Sequence, residues 1–140
     1  MILQDVFSQY DVKNNKFECK WRLDKENVLG WLKTIDGFAN GTGGIIFLGV
    51  EGKTNKLIGY DASDIDKEKI YFYNQLKEHF DILPSVSIDL IQYNINGKKR
   101  YVLKIFILES NVKPVILKYQ GMPMIFSKEG WFYFTNYYKW

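Results

Sequence analysis

Ile35-Asp36-Gly37-Phe38-Ala39-Asn40-Gly41-Thr42-Gly43-Gly44-Ile45-Ile46-Phe47-Leu48-Gly49-Val50-Glu51 is the stretch that sets the architecture. Leading into it, Val28, Trp31, Leu32, Ile35, Phe38 and Ala39 recur at the 3.6-residue spacing of a helix with one apolar face. Asp24 is a candidate N-cap, so the spacing predicts a helix from there to about Ala39. Asn40-Gly-Thr-Gly-Gly44 stops it, because three glycines permit the positive φ that ends helices. Ile45–Val50 then runs without a polar residue, the pattern of a strand buried on both faces. Phosphate-cradling glycine loops run from strand to helix, and this one runs from helix to strand. With no GxxxxGK[ST] or GxGxxG motif in the chain, the loop reads as a helix stop.

Outward from this core, Phe17, Cys19 and Trp21 alternate with Glu18 and Lys20, which predicts a strand over Lys16–Trp21. Residues 1–10 read as a short helix, with Ile2, Leu3, Val6 and Phe7 on one side. Glu51–Lys56 reads as a hairpin turn and Leu57–Tyr60 as its return strand. Ser63 caps a second helix to about Phe80, whose apolar face holds Ile65, Phe72, Tyr73, Leu76 and Phe80. Val86–Tyr93 and Arg100–Leu108 are strands joined around Asn96-Gly97, a strong type I′ signal. Lys113–Tyr119, Met122–Phe126 and Trp131–Phe134 read as further short strands. The expected class is α+β, a mixed β-sheet with two main helices packed on it, in one domain over 1–140.

Composition excludes several classes. With 140 residues, 46% apolar and 25% charged, the chain is long and apolar enough for a core without staples. Its longest apolar stretch, Gly44–Val50, is far short of the roughly 20 residues of a membrane helix. No basic start followed by an apolar run marks a signal peptide, so a cytoplasmic location is expected. Cys19 alone precludes an internal disulfide, and its alternation predicts a buried, inert thiol. His79 alone precludes a multi-histidine metal cage, and its place near a helix end suits a dipole-stabilised cation.

The net charge of +3 conceals an asymmetry, because residues 98–140 hold eight Lys/Arg against two Asp/Glu. A cationic third is a footprint for a polyanion or a solvated face. Asn96-Gly97-Lys98-Lys99-Arg100 is its sharpest part, a tight turn projecting three cations toward which backbone phosphates would be drawn. The aromatic tail 131–140 exceeds what one strand face buries, and it reads as an interface to another copy or to a further domain. Exposed aromatics among lysines also stack on unpaired bases. Glu18 and Lys20 share a strand face and read as an ion pair or as ligands for a metal or phosphate. Glu51 ends the buried strand, and carboxylates converging there on Mg²⁺ or Mn²⁺ would support phosphodiester hydrolysis.

The order of segments resembles the Schlafen AlbA-like domain family. Phe17-Glu18-Cys19-Lys20 is similar to the family's opening "EFK" strand, and Ile35–Glu51 resembles its central "A-N-x-x-G-G" signature. Gly59 matches a following glycine, and Lys113-Pro114-Val115 resembles the "KP" segment, so the likeness covers residues 12–126. Such domains stand at the N-terminus of bacterial transcriptional regulators and are described as DNA-binding. Older descriptions call them divergent ATP-binding domains, and the related vertebrate fold forms a ribonuclease with three carboxylates. The resemblance maps two of those carboxylates to Glu18 and Glu51 and the third to Lys13, which cannot ligate Mg²⁺ while charged. The family's terminal "R-x-G-S" segment is replaced by Ser127-Lys128-Glu129-Gly130.

The resulting expectation is a nucleic-acid-binding part of a longer bacterial regulator. Lys20, Arg22, Lys98, Lys99, Arg100 and Lys113 are its candidate phosphate contacts. No resident metal or other cofactor is expected; Mg²⁺ or Mn²⁺ enters only with the alternative, a nuclease or nucleotide-binding domain using Glu18 and Glu51. A third reading is a protein-interaction or dimerisation module whose aromatic tail, 131–140, docks on a partner or on a second copy.

Overall fold

The structure, a computed structural model, describes residues 1–8, 16–127 and, as backbone alone, 133–136. A 3-10 turn at Leu3–Asp5 precedes β1 (Phe17–Lys20), α1 (Val28–Asn40), β2 (Gly44–Leu48) and α2 (Ala62–His79). Then follow β3 (Val86–Ile95), β4 (Lys98–Ile107), β5 (Leu117–Tyr119), β6 (Met122–Ser127) and β7 (Tyr133–Asn136). Four strands form one sheet in the order β1-β2-β4-β3, and β5-β6-β7 form a second. This is an α+β fold with a mixed sheet and two main helices. No helix among the described residues is long and apolar enough to cross a membrane.

The chain divides into two compact units. The first comprises residues 1–23, 45–70 and 87–106 and carries nearly all of the four-stranded sheet. There β1 runs parallel to β2 with Phe17 opposite Ile45 and Lys20 opposite Leu48. Ile45, Ile46, Phe47 and Leu48 are all essentially inaccessible, as expected for an apolar central strand. Each such side chain contributes on the order of 2 kcal/mol through burial. Leu3, Ile45, Phe47, Val50, Leu57, Tyr93 and Val102 form this unit's core, with Phe17 and Cys19 packed against it. Asn96 and Gly97 both have positive φ, 51° and 76°, as a type I′ turn requires, and so join β3 to β4.

The second unit comprises 24–44, 71–86 and 107–140. Its helix α1 starts three residues later than the sequence suggests. Asp24 accepts the N–H groups of Glu26 and Asn27, which makes a turn, and Asn27 is the cap, accepting the Gly30 N–H at 3.1 Å. At the other end, the Gly41 N–H donates to Gly37 and Phe38 carbonyls, and the Gly43 N–H donates to Phe38 as well. Gly43 has a φ of +87°, and a Cβ there would stand 2.8 Å from the Ile107 carbonyl, so the glycine is required twice over. Trp31 stacks on Phe72 with centroids 5.9 Å apart, joining α1 to the later part of α2.

Three other expectations differ in extent. Of the helix expected over residues 1–10, positions 9 and 10 lie outside the described residues, and residues 1–8 hold a three-residue 3-10 turn and no α-helix. The return segment after Glu51 makes isolated bridges, Val50 to Leu57 and Tyr60 to Tyr101, in place of a full strand. The segment from Lys113 is strand at Leu117–Tyr119 alone. Of the aromatic tail, β7 pairs antiparallel with β6, while residues 131, 132 and 137–140 lie outside the described residues, as does Lys13.

Candidate functional site

Five of the six candidate cations lie in the first unit, and two of them meet at one backbone atom. Tyr60 and Tyr101 exchange N–H···O bonds of 2.8 and 3.1 Å, which sets Gly59 beside Arg100 at the start of β4. Gly59 takes a φ of +73°, and a Cβ there would collide with the Tyr93 hydroxyl, so no other residue would suit the position. Its carbonyl accepts Arg22 Nη2 at 2.9 Å and Arg100 Nη2 at 3.1 Å. Arg100 also donates to the Ile58 carbonyl at 2.9 Å and pairs with Asp61 at 2.5 Å. Arg22 donates to the Trp21 carbonyl at 2.8 Å, and its guanidinium carbon lies 3.9 Å from the Tyr60 ring centroid.

Two guanidinium groups on one carbonyl concentrate positive charge. Asp61 offsets one of them, whereas among the described residues Arg22 has carbonyls and aromatic rings as partners and no carboxylate. The Tyr60 hydroxyl beneath donates to Glu68 at 2.6 Å, and burial, reinforced by that carboxylate, drives its pKa far above the usual range. Tyr93 is raised as well, chiefly by burial and against the pull of the nearby Arg100 and Arg22. Both phenols therefore stay neutral, and neither cancels the arginine charge.

Lys98 and Lys99 follow the Asn96-Gly97 turn and are exposed, with no ion pair among the described residues. Lys20 ends β1 and lies 3.9 Å from Glu18, a loose pair with both side chains a little over a quarter exposed. Lys113 belongs to the second unit, where its ammonium group donates to the Gly41 carbonyl at 3.1 Å and to Glu109 at 2.8 Å.

The candidate carboxylates have other partners. One oxygen of Glu51 accepts the Lys53 N–H, the Thr54 N–H at 2.7 Å and the Thr54 hydroxyl at 2.6 Å. Those bonds close its own turn and lower its pKa, the Thr54 side chain contributing most. Among the described residues, no three His, Cys, Asp or Glu side chains gather where they could hold one metal ion. Cys19 is half-buried, its thiol pushed up to about 11 by burial and then by Glu18, which keeps it unreactive. The His79 ring lies on Tyr119, and its Nδ1 stands 2.9 Å from the Lys118 carbonyl, a contact that needs the proton on Nδ1.

The sequence reading missed two features. Trp21 leaves the apolar stripe because β1 ends at Lys20 and the chain bends, so the residue is 60% exposed. Asp36, with no accessible surface, is clamped in the second unit: its Oδ2 accepts the Phe126 N–H at 2.6 Å and Asn40 Nδ2 at 3.2 Å, while Oδ1 has no partner. Asn40 also donates to the Val115 and Phe126 carbonyls and accepts the Val115 N–H at 2.7 Å. The glycine signature's asparagine thus ties α1 to the segments around Val115 and Phe126. The i, i+4 spacing of Asp36 and Asn40, one helical face, was the available signal.

The chain with this helix-stop core, parallel strand pair and basic hairpin matches the model of the family described as "Schlafen, AlbA_2" over residues 9–131. The chain belongs to that family. It is also similar to a protein of Ureaplasma parvum serovar 3 that carries the name uncharacterized ATP-binding protein. The two are 28% identical over 116 residues, which cover 74% of this chain and 32% of that relative. The chain therefore spans about a third of the relative's length.

Proposed function

We propose that the first unit is a nucleic-acid-binding module, the DNA-binding part of a longer bacterial regulator, and that it grips backbone phosphates. Lys98 and Lys99 supply mobile cations at the hairpin tip, Lys20 a further one, and Arg22 and Arg100 a fixed positive base. The observation that carries this reading is the meeting of Arg22 and Arg100 on the Gly59 carbonyl, next to a turn whose two lysines are exposed. Charge supports it: the first unit holds twelve Lys/Arg against nine Asp/Glu, the second seven against seven. The family supports it too, and the relative's name adds only that phosphate-bearing ligands suit such chains.

Fluorescence anisotropy with labelled DNA and RNA at several salt concentrations tests it. Affinity falls as salt rises, and Lys98→Ala with Lys99→Ala reduces the log–log slope by about two. A slope unchanged by that double substitution sinks the assignment of the hairpin tip. The absence of binding to any nucleic acid at low salt sinks the reading as a whole.

A further inference from the structure

We infer that Trp21 is a stacking platform for an unpaired base, so that the basic edge of the first unit prefers single-stranded over duplex nucleic acid. The inference rests on the phosphate-binding reading above and adds the feature that selects the strand form. By alternation with Phe17 and Cys19, Trp21 belongs on the core side of β1, and those two residues do pack on the core. The strand ends one residue too early for Trp21 to join them, which leaves that residue 60% exposed.

Its backbone is held. The Trp21 carbonyl accepts the Gly49 N–H at 3.1 Å and Arg22 Nη1 at 2.8 Å, so the ring is presented from a fixed base and not from a loose loop. The Arg22 guanidinium carbon stands 5.5 Å from the indole centroid, which places a fixed cation against the ring. Lys20 precedes it in the chain, and Arg22 leads through the shared Gly59 carbonyl to Arg100 and the hairpin.

Those surroundings decide the occupant. An apolar protein partner covering Trp21 would have to strip water from Arg22 and Lys20 without returning a counter-charge. A nucleotide in a strand brings an aromatic face for the indole and, one bond system away, phosphates for the cations. Every base has such a face, so stacking is sequence-tolerant. In a duplex the base faces are already covered by their neighbours, and Trp21 gains nothing there.

The test uses anisotropy with a short labelled single strand and the duplex of the same sequence, for wild type, Trp21→Ala and Trp21→Phe. Trp21→Ala weakens single-strand binding by about tenfold, as the loss of one stacked base predicts, and leaves duplex binding within about twofold. Trp21→Phe keeps most of the affinity but loses the part of the tryptophan quenching that bound single strand causes in wild type. Equal affinity of wild type and Trp21→Ala for the single strand overturns the inference while the salt-dependent binding stands. Equal weakening toward both strand forms also overturns it. Wild type that binds neither form removes the phosphate reading, and this one with it.

Discussion

The two units place polar groups in opposite ways. In the first, an excess of cations stands at the surface and is anchored by backbone carbonyls, as Arg22 and Arg100 are at Gly59. In the second, positive and negative side chains balance, and the distinctive polar groups are inside, where Asp36 and Asn40 hold the Phe126 N–H and carbonyl and the Val115 amide. A carboxyl without accessible surface cannot meet a macromolecule. The most recognisable motif of the chain, Asn40 to Gly44, is therefore a fastening of the fold, and the chemistry available to a partner lies in the less conspicuous hairpin and strand end.

The largest test of this contrast removes the fastening. Asn40→Ala removes three hydrogen bonds of a part-buried network, those to the Val115 N–H, the Val115 carbonyl and the Phe126 carbonyl, at a cost of about 3 kcal/mol in unfolding free energy. Urea unfolding would measure it, and a loss below about 0.5 kcal/mol would show that Asn40 is not the fastening described. Nucleic-acid affinity of the folded fraction stays as in wild type.

Asp36 gives a subtler test through pH. Burial raises its pKa to about 8, and the hydrogen bonds from Phe126 and Asn40 only partly oppose this. The folded carboxyl is neutral where the unfolded one is already ionised, so its contribution is complete below the ordinary carboxylate range and is lost as pH rises to about 8. The decline is at most about 1.4 kcal/mol per pH unit. Asp36→Asn keeps an acceptor for the Phe126 N–H and cannot ionise, so stability varies less with pH and exceeds wild type under alkaline conditions. Parallel stability–pH curves for the two proteins would show that Asp36 does not fold as the neutral acid.

How much of this could be read in advance follows from sequence distance. The α1–loop–β2 core was legible because its signals are local: a 3.6-residue stripe, three glycines, then an unbroken apolar run. The hairpin was legible for the same reason, since Asn96-Gly97 dictates its own turn. Arg22 and Arg100 are far apart in sequence, and nothing in either neighbourhood announces that both will reach for Gly59. Trp21 was misplaced because alternation shows which face a residue would take while the strand lasts, not where the strand stops. Lys113 looked like one more cation of a basic third, but Glu109, one helical-turn spacing away, neutralises it.

Arg100 separates positioning from binding within the first unit. Arg100→Ala loses hydrogen bonds to the Ile58 and Gly59 carbonyls and the Asp61 pair, which is half-exposed and worth little by itself. The expected destabilisation is about 1–2 kcal/mol, most of it from the two carbonyls. Arg100→Lys keeps the charge without the planar fork and recovers only part of that stability. If the lysine variant were as stable as wild type, the fixed geometry at Gly59 would not matter, and the base of the cationic edge would be no more than a point charge.

The smallest stability effect belongs to the residues expected to matter most for binding. Lys98 and Lys99 are exposed, follow a turn whose geometry Asn96 and Gly97 set alone, and make no ion pair among the described residues. Replacing both with alanine therefore changes unfolding free energy by no more than about 0.5 kcal/mol, while the salt dependence of nucleic-acid affinity falls. That dissociation is what distinguishes a phosphate-contacting tip from a structural one, because nothing in the fold leans on it. A double variant that lost stability and affinity together would return the hairpin to the same category as Asn40, a group whose work is internal.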